Sequence, residues 1–271
     1  MIERAAAARD AGLDSLFVGD HHNVATPYYQ NVPMLGRLLA EWDSRPAGAL
    51  FLLPLWHPVL VAEQIGTLAA IARGRFIMQC ALGGGASQFE AMSASLKTRP
   101  SRFEAALATI RQLCAGGTVE GVRIAPIPPE PLEVWIGGSA PPAIDRAARL
   151  GDGFLAGPEA TPEHARKLID QYGESAASYG RVPSAIAIRR DVHVAATHDD
   201  AFRIVQPIVD AGYRGFSPDA LVYGDAHEVA QQLASLEEMG FTDVIVRHLA
   251  EDHDAVVRSF EHLAHVRDEL T

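Results

Sequence analysis

Cysteine is nearly absent: the chain of 271 residues holds two, Cys80 and Cys114. Two thiols cannot make a disulfide framework, and no Cys/His spacing of the zinc-ribbon type accompanies them, so a reduced, cytoplasmic protein is expected. Basic charge is scarce as well. Lys and Arg number 23 against 34 Asp and Glu, a formal charge of −11, and the basic residues are scattered, so no stripe suited to a phosphate backbone exists and nucleic acid is not an expected partner. Long hydrophobic runs are missing too. The most apolar stretch, Ala47 to Trp56, is broken by Pro54 and falls short of the ~20 residues that cross a bilayer. The opening MIERAAAARDAG is charged and helix-like where a signal peptide would need an apolar core. Linkers and low-complexity tracts are also lacking, so one domain spanning residues 1–271 is expected, with 48% hydrophobic residues to fill its core.

What is present is a repeat of helix, glycine and strand, with little hairpin chemistry, which argues for parallel strands joined by crossover helices. RDAGLDSLFVGD (9–20) and EEMGFTDVIVRH (237–248) each end a helix at a glycine, the left-handed stop that a side chain would resist, and then run into a strand. Further strands are expected at Gly48 to Leu55, Arg75 to Leu82, Leu132 to Ile136, Gly153 to Ala156 and Ile186 to Ala195. Helices are expected at Pro58 to Arg73, Ser101 to Cys114, Pro141 to Leu150, Pro162 to Tyr179, Asp199 to Ala211, Ala226 to Met239 and Asp252 to Glu269. Asp225 followed by Glu228 has the form of a capping box. The count is seven parallel strands, one short of a (β/α)8 barrel, and the missing strand would precede the first helix.

In such a barrel chemistry gathers at the C-terminal ends of the strands. LFVGDHHN (16–23) delivers Asp20, His21 and His22 to one such end. Neighbours on an extended chain point to opposite sides, so a single functional histidine is expected unless the chain has already turned. Pro54 and Pro58 bracket Trp56 and His57 in a rigid turn. Gly137, Gly138 and Ser139 lie between a strand and a helix start, where bare amides favour an anion, and ALGGGASQF (81–89) is a second glycine turn of this kind. In IAIRRDVHVAA one alternation carries Ile186, Ile188, Val192 and Val194 and the other Arg189, Asp191 and His193. If the apolar set packs on helices, the polar set lines the interior or mouth of the barrel, either as a mutually satisfied layer or as part of a site.

AGLDSLFVGDHH, LPLWHPVLVAEQIGTLAAIARGRF, PLEVWIGGSAPPAIDRAARLGDGF and VYGDAHEVAQQLASLEEMGFTDVIV resemble, in order and spacing, segments of the bacterial luciferase-like flavin-dependent oxidoreductases. The resemblance implies an α/β (β/α)8 TIM barrel, here without its first strand, that binds FMN or the deazaflavin coenzyme F420 at its C-terminal mouth. It implies a catalytic role for His21, a non-proline cis peptide between Ala49 and Leu50 behind the flavin ring, and a phosphate-binding turn at Gly137, Gly138 and Ser139. Leu82 and Ala81 replace the phosphate-binding arginine and the reactive cysteine of luciferase itself. The implied activity is monooxygenation with reduced FMN, supplied by a separate reductase, or hydride transfer with the deazaflavin, on a small organic substrate and in a homodimer. Two alternatives stand beside it: a non-catalytic flavoprotein or pairing subunit of the same fold, and a metal-dependent barrel hydrolase using Asp20, His21, His57 and His193.

Overall fold

The structure, a computed structural model, describes residues 1–270. They fall into two compact units, Asp14–Gly137 and a second built from Met1–Leu13 with the chain from Gly138 onward. The chain opens with helix α1 (Ile2–Asp10), and Gly12, at φ 77, provides the left-handed stop after it.

The unit Asp14–Gly137 contains, in order, β1 (Leu16–Val18), α2 (Asn31–Leu38), β2 (Ala47–Leu52), α3 (Pro58–Ile71), β3 (Phe76–Ala81), α4 (Ala86–Ala91), α5 (Arg99–Cys114) and β4 (Glu133–Gly137). Its strands form a parallel sheet in sequence order. Pro58 occupies the first turn of α3, where its missing N–H costs nothing. Ala49, Phe51, Met78, Cys80 and Val134, from one alternation of β2, β3 and β4, are wholly buried, and α3 and α5 add Val61, Ile65, Phe103 and Ile110 to the core.

The second unit continues with α6 (Pro141–Leu150), β5 (Gly153–Ala156), α7 (Pro162–Ser178), β6 (Ala185–Val194), α8 (His198–Asp210), β7 (Val222–Gly224), α9 (Ala226–Met239), β8 (Asp243–His248) and α10 (His253–Leu270). The ten-residue β6 organises it, pairing in parallel with β5 through Ala185–Ile188, with β8 through Ala187–Val192 and with β7 through Val192–Val194. The capping box forms: Asp225 accepts the Glu228 N–H at 2.9 Å, and Glu228 accepts the Asp225 N–H at 3.0 Å. Gly240 ends α9 at φ 108. Phe154 stacks on Tyr172 of α7, and His248 meets Phe260 of α10 edge-on. The register places Ile188 and Val192 on that same face, so the apolar alternation of β6 packs on helices.

Eight strands are present among the described residues where seven are expected. The added one, β7, comes late in the chain and, at three residues, is too short to leave an alternation in the sequence. Helices α2 and α4 are also additions: α2 contains Pro33 and Gly36, which read as breakers, and α4 is six residues long. No helix among the described residues is long and apolar enough to cross a membrane.

Burial pushes His248 down to about 4 from an ordinary 6.5, and the charges of His193 and Arg4 add to the effect. Its Nε2 is sealed from solvent without a hydrogen-bond partner. The unfolded chain therefore takes up this proton first, so the stability present above pH 6.5 is lost as the pH falls toward 4. By pH 5 the loss from this group is about 2 kcal/mol. Urea unfolding at pH 7 and pH 5 measures it; His248→Phe is expected to flatten the difference, and a wild-type protein equally stable at both pH values would refute the assignment.

Candidate functional site

The C-terminal end of β1 is tied down by Asp20, whose side chain is completely buried. Its Oδ2 accepts the Leu52 N–H at 2.8 Å and the Trp56 indole N–H at 2.7 Å, joining the end of β1 to the end of β2 and to the turn after it. Pro54 and Pro58 hold that turn: Leu53–Leu55 form one turn of 3-10 helix and Pro58 begins α3. His22 folds inward beside Asp20. Its ring meets Trp56 edge-on at 5.4 Å, and its N–H donates to Gln88 Oε1 at 2.7 Å. His22 Nε2 lies 3.1 Å from Asp20 Oδ1, yet the two are not aligned for a hydrogen bond and neither atom has another partner. The contact is proximity rather than a formed bond.

Asp20 and His22 point in, and His21 between them points out. It is exposed, its ring sits edge-on to Tyr28 at 5.8 Å, and its carbonyl accepts the Gln30 amide at 3.3 Å. The alternation of an extended chain thus sorts the two histidines, leaving one available to chemistry above the sheet.

On β2, Ala49 is wholly buried and Leu50 keeps partial exposure. The Ala49–Leu50 peptide is not cis, contrary to the expectation; among the described residues the cis bond is Ala125–Pro126. The physical reason is visible in the ladder. β2 and β3 stay in register through six consecutive pairs from Ala47↔Phe76 to Leu52↔Ala81, so no bulge forces a bond that costs ~3 kcal/mol. The Leu50 carbonyl instead accepts the side-chain amide of buried Asn31 at 2.7 Å. Neither Asn31 nor Gln88 stands out in the sequence, because each is brought to the site by a helix whose own signal is weak.

At the glycine turn, Gly137 ends β4, and the Gly138 N–H is already spent on the Leu155 carbonyl at 3.3 Å. A Cβ on Gly138 would stand 2.5 Å from the Ala143 Cβ, so the glycine lets strand and helix meet. Pro141 and Pro142 open α6 without N–H groups, and the Ala143 N–H goes to the Ala140 carbonyl. The donors left for an anion are the N–H groups of Ser139 and Ala140 and the Ser139 hydroxyl, on exposed residues. In the other turn Gly83 and Gly85 have positive φ, and Gly84 and Gly85 face open space.

On β6, Arg189 and Asp191 take the face opposite the helix-packed alternation. Asp191 is fully buried and receives Arg189 through Nε at 3.0 Å and Nη2 at 3.2 Å, the Tyr213 hydroxyl at 2.8 Å and Arg214 Nη1 at 3.3 Å. Tyr213 and Arg214 carry no sequence signal, lying in a glycine-flanked turn. His193 is buried, and burial first, then the charges of His262 and Arg258, hold it below its ordinary value. Among the described residues no three His, Cys, Asp or Glu side chains are placed to hold a metal ion, which leaves the metal-dependent alternative without a centre.

A protein of Beutenbergia cavernae named F420-dependent glucose-6-phosphate dehydrogenase is 30% identical over 214 residues, covering 72% of this chain and 63% of the relative. The chain thus spans under two thirds of that relative's length. The monooxygenase RslO1 from Streptomyces bottropensis superimposes with a TM-score of 0.84 at 17% identity, covering 100% of this chain and 94% of that one. The oxygenating constituent of 3,6-diketocamphane monooxygenase from Pseudomonas putida, solved with FMN, gives 0.83 at 18% identity over 99% of this chain and 91% of that one. These likenesses show the expected fold class, an α/β barrel of the luciferase-like type. The family described as luciferase-like monooxygenase matches residues 1–243. A match of that extent, on a parallel α/β chain with its polar anchor at the end of β1, makes this protein a member of the luciferase-like monooxygenase family.

Proposed function

We propose that the protein is an oxidoreductase that uses the deazaflavin coenzyme F420 for hydride transfer with a small organic substrate. The observation that carries the reading is the β1 terminus, where buried Asp20 and His22 fix the backbone that holds exposed His21. The curated relative named above supports the choice of coenzyme. A second reading, monooxygenation with reduced FMN delivered by a separate reductase, is favoured by the FMN-bound neighbour.

Each unit, taken by itself, carries residues that fit either group. Ser139 and Ala140 offer unspent amides and a hydroxyl to a phosphate at the start of α6. Within the unit Asp14–Gly137, Leu50 is partly exposed and offers an apolar surface. When bound, the coenzyme supplies the hydride or oxygen chemistry. The protein's part is to hold the phosphate, exclude water with apolar side chains and move one proton at the His21 imidazole. A cytoplasmic homodimer completes the proposal, the cytoplasmic part in keeping with two buried cysteines that form no disulfide.

Fluorescence titrations of the purified chain, side by side with the deazaflavin and with FMN, each oxidised and reduced, test the reading. Saturable micromolar binding of the deazaflavin alone is the expected result. Preference for FMN selects the second reading, binding without turnover selects a non-catalytic flavoprotein, and binding of neither overturns all three.

A further inference from the structure

We propose that Arg189, Arg214 and Arg247 form a binding subsite for a phosphate monoester dianion carried by the substrate. In a chain with a formal charge of −11, three guanidinium groups gather about one carboxylate. Asp191 is fully buried and both its oxygens are taken: Oδ1 by Arg189, and Oδ2 by Arg189, Arg214 and Tyr213. Arg247 stands directly beside Asp191 in the β6–β8 register and on the same face. It is exposed, and among the described residues its side chain has no hydrogen bond or ion pair.

One carboxylate leaves two positive charges unbalanced, which is the charge of a phosphate monoester. Arg189 and Arg214 keep 27% and 41% of their side-chain surface open, so each has N–H donors to spare beyond those given to Asp191. The charged groups that act on Arg189 are Asp191, Arg214 and Arg247, with no second acid among them. Burial holds Arg189 below its ordinary value, Asp191 opposes that shift, and Arg214 and Arg247 reinforce it; a bound dianion would relieve this crowding. The turn that brings Arg214 over the cluster places it at φ 50 between Gly212 and Gly215. A non-glycine residue holds that conformation only where its surroundings demand it. Tyr213, tied to Asp191, and Phe216, whose ring lies 4.9 Å from the Arg214 guanidinium, supply the demand.

Binding of the anion is independent of the coenzyme; that its bearer is the substrate rests on the oxidoreductase reading. Isothermal titration of the coenzyme-free chain with inorganic phosphate and with glycerol 3-phosphate, at constant ionic strength, reads the subsite directly. Arg214→Gln and Arg247→Gln, both at exposed positions, are each expected to weaken binding about tenfold. Arg203→Gln, on α8 and paired with Asp200, is expected to leave it unchanged. With the coenzyme saturating, the monoester is expected to bind as before. The inference is overturned by equal affinities across all variants, by no binding of either probe, or by displacement of the monoester by the coenzyme. If the chain binds no coenzyme yet shows the arginine-dependent affinity, the subsite stands and the oxidoreductase reading falls.

Discussion

Asp20→Ala is expected to lower the free energy of unfolding by about 3 kcal/mol, read from urea denaturation at pH 7. The alanine leaves the buried Leu52 N–H and the partly buried Trp56 indole N–H with no acceptor. Each such loss costs roughly 1–3 kcal/mol. The side chain is completely buried, so water does not readily replace it. Asp20→Asn keeps one carbonyl oxygen for these donors and is expected to cost about 1 kcal/mol. The alanine should also weaken coenzyme binding, since the ends of β1 and β2 lose their shared acceptor. An Asp20→Ala protein as stable as wild type would mean that the carboxylate is not the tie between the strands.

The order of helices and strands is legible because its signals are local. Gly12 and Gly240 both sit at positive φ after a helix, where a side chain is costly, and the Asp225/Glu228 pair closes on itself within one turn. Pro58 starts α3 for the same kind of reason. The misses are equally physical. Helix α2 carries Pro33 and Gly36 and is held by burial of Leu35 and Leu38 rather than by propensity. Strand β7 exists because the end of β6 extends past β5 and leaves an edge to pair. At the site, strand alternation separates His21 from Asp20 and His22. It cannot show that the Leu50 carbonyl meets Asn31 or that Asp191 meets Tyr213, contacts made across 19 and 22 residues of chain. The cis bond at Ala49–Leu50 is implied by the resemblance alone, with no local signal in the residues, and the continuous ladder of β2 stands in its place.

His21→Ala is expected to lower kcat by about 100- to 10,000-fold, the range for loss of a positioned acid or base, with coenzyme affinity and folding stability little changed. The separation of effects follows from burial. His21 is exposed, and its side chain makes an edge contact with Tyr28, so its removal opens no cavity and strands no buried polar group. Its backbone position is set by Asp20, His22 and Gln88 on either side, all of which remain. The proposed proton relay at this residue is therefore separable from the scaffold that presents it, and stopped-flow turnover beside a binding titration distinguishes the two. Loss of binding together with rate would make His21 a coenzyme contact rather than an acid or base. Unchanged turnover would remove it from the chemistry and shift attention to the Arg189, Arg214 and Arg247 cluster.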